Sequence, residues 1–401
     1  MQWRVTFWVM VAVQAIATGS MSISAPFLPL FIQQLGVHPL ALVETWAGVV
    51  QSTAFALAAI SAPVWGAFSD RVGRKPQVLR ASTCGTIASI LMGLSQNVWE
   101  LCGARAMLGV FAGFASSSTA LVASVVPGSM LGFALGWMAT AQMVGTLIGP
   151  LIGGAVADVV HNYRTIYFCT AVGTAIAFFV VLFFVRENFQ KKTPEEHKAK
   201  SSRAQLREIL SHPEVAPLFV VLAVAQVTTL AVQPVVPIFI EQMVGPVPYV
   251  ATLAGAAFAA IGIGDLIASP FLGKRSDTLG YRKVLVISLI GAGLFTLPQG
   301  LTHNVWVFLG LRFGVGLFIG GIIPTTNAWI GRLFPREMRG KVYGLSYSAG
   351  FIGMFCGPIS GGLLAGHIGF SSVFLLTGGL ILLNALWVAF GVRSDPERAW
   401  S

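Results

Sequence analysis

Charged residues in this sequence are gathered into short clusters, and long apolar runs separate the clusters. A run of about 20 apolar residues is what a helix needs to cross the hydrocarbon core of a bilayer. In lipid, every backbone polar group must be satisfied inside such a helix or a closed barrel. Twelve runs of this kind can be read, at about 6–32, 44–66, 77–95, 100–124, 133–157, 165–185, 215–240, 250–272, 284–301, 306–330, 342–365 and 372–392. They predict an all-α membrane protein of twelve transmembrane helices. The composition agrees: only 10% of residues are charged, against roughly 25% in soluble domains. Ala15-Ile16-Ala17 resembles a signal-peptidase site, but the apolar run continues to about Ile32. That is too long for a signal core, so the first run is read as a retained span.

The formal charge of +10 would by itself suit a nucleic acid or a membrane surface. With the N-terminus inside, alternate loops place 22 Lys and Arg on the cytoplasmic side and only Arg164 on the other, while Arg105 and Arg312 fall within spans. This is the positive-inside pattern. It predicts two cytoplasmic termini in an inner membrane, and no nucleic-acid partner. The one long polar stretch, Arg186 to Pro213, divides the chain into a bundle at 1–185, a cytoplasmic linker at 186–213 and a bundle at 214–401. Ser202 to Leu210 within it suit a short surface helix. Cys84, Cys102, Cys169 and Cys356 lie in or beside spans without CxxC spacing, and are read as small apolar residues.

The two halves repeat each other. An offset of 207 maps Leu-Ser-Gln-Asn-Val-Trp (94–99) onto Leu-Thr-His-Asn-Val-Trp (301–306). It also maps Gly66, Asp70 and Gly73 onto Gly273, Asp277 and Gly280, and Arg105, Gly109 and Gly113 onto Arg312, Gly316 and Gly320. An offset of 208 maps Pro26-Phe-Leu-Pro29 onto Pro234-Val-Val-Pro237. Parallel six-span repeats imply two pseudo-symmetric six-helix bundles with a cavity between them that rocking opens to either side.

Three motifs recur. The loop after span two, Gly66…Asp70-Arg71-Val-Gly73-Arg74-Lys75, supplies a tight turn and charges suited to latching one conformation. Its copy keeps Asp277 and Gly280 but has Tyr281 where the first has Arg74, which predicts a weaker latch. Arg105 in span four has to face protein or water; proton coupling and a structural arginine satisfied by backbone carbonyls are both open for it. Span five carries Gly136, Gly145, Gly149-Pro150 and Gly153-Gly154, and span eleven repeats the spacing at Gly344, Gly353, Gly357-Pro358 and Gly361-Gly362. Glycines spaced by four make a flat face for a hinge or a sealed seam.

In this order over twelve spans, the three motifs resemble the major facilitator superfamily. The span-five glycines resemble the antiporter signature of its twelve-span drug:proton antiporters. Ala25-Pro-Phe-Leu-Pro-Leu-Phe-Ile-Gln-Gln-Leu-Gly36 and Ala62-Pro-Val-Trp-Gly-Ala-Phe-Ser-Asp70 resemble its bacterial multidrug-resistance members. The resemblance implies a major facilitator fold and proton-coupled export of drugs or amphipathic small molecules by alternating access. One departure is the loop Val126-Pro-Gly-Ser-Met-Leu-Gly132, which lacks an arginine that Arg339-Gly-Lys-Val-Tyr-Gly344 retains.

No phosphate-binding Gly-x-x-x-x-Gly-Lys-Ser/Thr loop occurs, nor a His-Glu-x-x-His or Gly-x-Ser-x-Gly motif, so neither ATP drive nor hydrolase chemistry is expected. The expected partners are a small-molecule substrate, protons and the bilayer, with no cofactor or metal, and the chain is read as a non-enzymatic monomer. Asp265 in span eight is the one carboxylate read as well inside, and an intramembrane carboxylate is costly to keep ionised. With Arg105 and Glu241 it forms the proton-coupling set. Glu44, Glu100 and Glu241 lie at outward span ends, where plain solvation is an equal reading. The gating set is Gly66, Asp70, Arg71, Gly73, Arg74, Lys75, Asp277, Gly280 and Arg312. The cavity candidates are Gln14, Thr18, Gln51, Gln142, Gln226, Gln233, Asn327, Tyr347 and Phe351, each of which also suits an interhelical hydrogen bond or core packing. Amides and aromatics with little charge suit amphipathic compounds, cationic or neutral. An importer or facilitator of a nutrient such as a sugar or organic acid is the alternative.

Overall fold

The computed structural model describes residues 2–127, 130–187, 209, 212, 214–245, 247–334 and 336–392, with the side chains of residues 2, 67, 70, 71 and 336–341 outside that description. The linker thus lies almost wholly outside the described residues, as does the short helix expected at Ser202 to Leu210.

Among the described residues, twelve helical spans follow in order. They are α1 (Gln2–Ser24, prolonged by Leu28–Gln34), α2 (Leu40–Val72), α3 (Lys75–Leu94), α4 (Val98–Val110, then Phe114–Val125) and α5 (Leu131–Val160). Next come α6 (Tyr163–Phe184), α7 (Val215–Ala231, then Val235–Val244), α8 (Val250–Leu279) and α9 (Tyr281–Thr296). The last are α10 (Val305–Ile319, then Ile322–Arg332), α11 (Arg336–Ile368) and α12 (Phe370–Gly391). Eleven are long and apolar enough to cross a membrane. The exception, α3, carries Lys75, Gln77, Arg80, Ser82 and Thr83 toward one end.

The repeats read in the sequence are the punctuation of these helices. Asn97 caps α4 by accepting from Trp99 N at 3.1 Å and Glu100 N at 2.9 Å, and Asn304 caps α10 through Trp306 N at 2.9 Å. A side-chain acceptor there satisfies backbone N–H groups that the first turn leaves free. Gly73 and Gly280 end α2 and α8 at φ of 104° and 91°, a region side chains other than glycine rarely enter. The Pro-x-x-Pro pairs interrupt α1 and α7 because proline removes a helical donor.

Within the first half α1 packs on α5 and α6, α2 on α4, and α3 on α6. The second half repeats this with α7 on α11 and α12, α8 on α10, and α9 on α12. The halves meet through α2 with α11 and α5 with α8.

The apolar core shows how the halves are tilted. One cluster joins the outward ends of both, from Phe27, Phe31, Val43 and Tyr167 to Val235, Phe239, Ala251 and Phe374. At the inward end the core is split. Phe7, Met10, Leu121, Met138 and Val181 form one cluster, and Val215, Leu218, Leu285, Trp329 and Ile381 form another. The halves are closed together at one end and parted at the other, and outward and inward name these two ends as the loop charges assign them.

Candidate functional site

The glycine motif divides into two seams, a division its spacing does not reveal. Gly145, Gly149 and Gly153 of α5 abut α1: a Cβ on Gly145 would lie 2.6 Å from the Ala15 carbonyl oxygen, and one on Gly149 2.7 Å from Ser22 Cβ. Gly353, Gly357 and Gly361 abut α7 in the same way, at Ala223, Val227 and Ala231. Gly154 and Gly362, one residue further on, face the opposite half. A Cβ on Gly154 would reach Ala251 of α8, and one on Gly362 would reach the Glu44 carbonyl of α2. Pro150 and Pro358 offer their carbonyls to Gly255 and Gly48 across the same seams, and Ser52 Oγ donates to the Phe355 carbonyl at 2.6 Å. Further inward the seams are open. Nothing lies within 4 Å of a Cβ placed on Gly136 or Gly344. Just inside the Ser52 bond, a cleft of about 320 Å3 opens between α2 and α11, lined by Ala56, Ala59, Ser348, Phe351, Ile352 and Phe355.

Arg105 and Arg312 occupy matching sites with different partners. Both are buried, at 7% and 4% exposure. Arg105 donates to Gln51 Oε1 on α2 and points Nη1 at Met92 Sδ, 4.0 Å away. No backbone carbonyl accepts from Arg105 among the described residues; a side-chain amide does. Offset 207 carries Gln51 to Phe258, and Arg312 lies over that ring at 5.4 Å and over Phe308 at 5.9 Å. An amide acceptor in one half is thus replaced by an aromatic face in the other. Arg312 is therefore placed in the membrane interior, apart from the loop residues with which it was grouped for gating. Asp265 of α8 sits instead against the break in α10, where a Cβ on Gly320 would lie 2.7 Å from its Oδ1. It accepts no hydrogen bond from a described side chain and has no contact with Arg105. Glu241 is half-buried at the outward end of α7.

Among the described residues, the contacts of the loop motifs tie helices within each half. Glu187, just past α6, accepts from Arg74 N at 2.9 Å and from Lys75 N at 2.7 Å, capping α3. Lys75 Nζ returns to the Leu182 and Val185 carbonyls at 2.9 and 2.6 Å. A carboxylate at a helix N-terminus and an ammonium at a C-terminus both oppose the local dipole. Gly66 is exposed with open space beside it, and the side chains of Asp70 and Arg71 lie outside the described residues. In the second half Tyr281 does not leave Asp277 idle: its hydroxyl donates to Asp277 Oδ1 at 2.6 Å, and Arg332 of α10 approaches the same oxygen at 3.4 Å. Asp277 thus keeps two donors, a phenol and a guanidinium, at the copy where Tyr281 stands in place of an arginine.

The cavity candidates separate by burial. Gln14 is 0% exposed, donating to Gln142 Oε1 at 3.3 Å and accepting from Ser118. Thr18 Oγ1 donates to the Gln14 carbonyl at 2.7 Å. With Gln51 held by Arg105, these residues join helices inside the first half; the buried amides of Gln14 and Gln51 find the protein partners that burial requires, while Gln142 is exposed. Gln226 packs on Gly353, while Gln233 and Asn327 are half-buried. Phe351 lines the inward cleft, and Tyr347, about one turn earlier in α11, is 68% exposed.

Three features of the structure go beyond the sequence reading. Gly113, at φ 112°, breaks α4, and two nearby carbonyls are taken up by Trp65 (Nε1 to Val110 O, 2.7 Å) and Arg80 (Nη2 to Ala112 O, 3.1 Å). Glu44 is not solvated but fully buried. Asp158 of α5 crosses to the other half, where its carboxylate accepts from Ala251 N at 3.0 Å and Thr252 N at 2.6 Å, capping α8. The available signal was position, because Asp158 lies one turn beyond Gly154 on the seam face. Charge-assisted bonds of this kind contribute about 1.5–3 kcal/mol each when well buried; Asp158 is only half-buried, so the pair is taken at about 1–2 kcal/mol. Asp158→Ala is expected to increase outside maleimide labelling of a cysteine at Tyr249 by roughly 5–30-fold. Unchanged labelling would deny Asp158 a part in outward closure.

Two like bundles of six helices, closed together at one membrane face and parted at the other, define a membrane transporter of the two-bundle type. The family model described as Major Facilitator Superfamily matches residues 10–263 and 249–401, and the chain belongs to that superfamily. Multidrug resistance protein MdtG of Salmonella arizonae is 34% identical over 370 residues, covering 91% of this chain and 90% of the relative. MdtG of Escherichia coli (strain K12 / DH10B) is 34% identical over 382 residues, covering 94% and 92%. Among solved structures, a bacterial homolog of the human lysosomal transporter Spinster, inward-facing and occupied, superposes with a TM-score of 0.77 at 12% identity over 98% of each chain. The D-xylose-proton symporter superposes at 0.75, with 13% identity over 98% of each.

Proposed function

We propose that this chain is a proton-coupled exporter of drugs or other amphipathic organic compounds, working by alternating access in a bacterial inner membrane. The observation that carries the reading is the pair of glycine seams, sealed at Gly154 and Gly362 and open at Gly136 and Gly344. Seams of this form separate at one end while meeting at the other, without unfolding either bundle. The MdtG relatives support multidrug export, and Phe351 and Phe355 offer the cleft's apolar, aromatic surface to such compounds. In this reading residues 1–185 and 214–401 are the rocking units, 186–213 tethers them on the cytoplasmic side with both termini, one copy suffices, and Asp265 carries the proton.

The test is accumulation of a fluorescent cationic dye in cells that express the chain. Expression is expected to lower dye accumulation, and a protonophore to restore it. Higher accumulation on expression would reverse the direction, and export insensitive to the protonophore would remove the proton.

A further inference from the structure

Glu44 stands in the turn of α2 against which Gly362 of α11 is seated. Its neighbours along that face complete the outward α2–α11 seam: Ala41 meets Gly366, Gly48 meets Pro358, and Ser52 bonds Phe355. The Glu44 side chain is 0% exposed, and neither carboxyl oxygen has a hydrogen-bond partner among the described residues.

The ionisable groups on the helices packed against α2 are engaged elsewhere. On α4, Glu100 bonds Gln96 N and Asn97, and Arg105 bonds Gln51. On α11, His367 bonds the Leu363 carbonyl of its own helix at 2.8 Å, and Tyr343 and Tyr347 lie toward the inward end. On α3, Lys75 and Arg80 belong to the inward end, and the outer segment of α1 has no ionisable residue. Arg336, Glu337, Arg339 and Lys341 stand in the first turns of α11, at its inward end, and the remaining groups are the thiols Cys84, Cys102 and Cys356, and His38 in the loop before α2.

The pseudo-symmetric seam is built differently. Offset 207 carries Glu44 to Ala251, whose carbonyl meets Gly154, and the carboxylate of that seam is Asp158, paired with two backbone N–H groups. One outward seam therefore holds a partnered carboxylate, and the other a bare one. A buried charge with no donor is among the costliest arrangements a protein interior can hold, and a proton on the carboxyl removes that cost.

We propose that Glu44 is a proton-binding site of the outward gate: the α2–α11 seam closes with a proton on the Glu44 carboxyl, and when the seam parts that proton returns to the outer water. The proposal rests on the alternating-access reading. Val43 and Ala47, both 0% exposed, place this turn in the shared outward core, so the site exchanges with the outside and sets the balance of states by external pH. Asp265 remains the carrier of the transported proton. Acid outside favours the closed outward gate, and alkali favours its parting.

The experiment measures the distance between spin labels at Val37 and Val247, in the outward loops of opposite halves, by pulsed electron resonance in lipid nanodiscs across a pH series. The wild type is expected to show a short distance in acid that gives way to a longer one in alkali. Glu44→Gln should keep the short distance throughout, while Glu44→Asp should restore the pH response. A wild type with no pH response overturns the proposal, whatever the folding of the variants, as does a Glu44→Gln protein that responds like wild type. Gly154→Val separates the two readings. If it lengthens the distance while pH does not, Glu44 fails and alternating access stands; if neither moves it, alternating access fails and takes the proposal with it.

Discussion

Valine at Gly154 or Gly362 is expected to deplete the inward-facing state, and valine at Gly136 or Gly344 the outward-facing one. A Cβ on Gly154 would lie 2.8 Å from Thr252 Cα, and one on Gly362 3.0 Å from the Glu44 carbonyl carbon, so a branched side chain wedges the outward seams apart. Overpacking costs typically 1–3 kcal/mol, and even the middle of that range shifts a two-state equilibrium roughly thirty-fold. Gly136 and Gly344 continue the same rows into the parted end, where a side chain meets nothing in this state. Valine there is harmless until the inward seams close. Gly145→Val is the control: Ala15 and Gly19 of α1 crowd it within one bundle, so it should lower the yield of folded protein and not choose between states. Cysteines in the outward and inward loops, labelled by an impermeant maleimide, report which face is open. Parallel behaviour of the Gly154 and Gly136 variants would defeat the two-seam account.

Asp265→Asn is expected to abolish concentrative efflux while leaving downhill exchange. One charge crossing about 100 mV supplies roughly 2.3 kcal/mol, and each pH unit adds about 1.36 kcal/mol. At one proton per cycle these sum to a gradient of roughly a few hundred-fold for a neutral substrate, all of which the variant should lose. The position of Asp265 is suited to the task. Its carboxylate rests on Gly320 at the point where α10 is broken, half-buried and without a described hydrogen-bond partner. Asparagine preserves the size and removes the titration. The assay is dye efflux from proteoliposomes under an imposed pH gradient. Wild-type transport by the variant would exclude Asp265 and turn attention to Glu241, which is also half-buried in a span.

The sequence by itself determined the solvent, the number of spans and the repeat. A bilayer forbids unsatisfied backbone, so length and apolarity alone settle that a run such as 165–185 becomes a helix, and α6 spans Tyr163–Phe184. Matching residues at a fixed offset settled that Arg105 and Arg312 occupy equivalent sites, because equal halves fold equally. Helical periodicity could not say which glycines of one motif face their own bundle and which face the other. Gly153 and Gly154 are adjacent in sequence, yet they abut α1 and α8 respectively. Nor could position near a span end separate a solvated carboxylate from a buried one. Glu100 is exposed and accepts from Gln96 N and Asn97 at the start of its own helix, Asp158 caps a helix of the opposite half, and Glu44 is sealed from water altogether. Those distinctions arise only when two bundles meet. Burial and pairing at a seam are set by the partner surface, whose atoms lie 93 residues along the chain from Asp158 and 303 from Ser52.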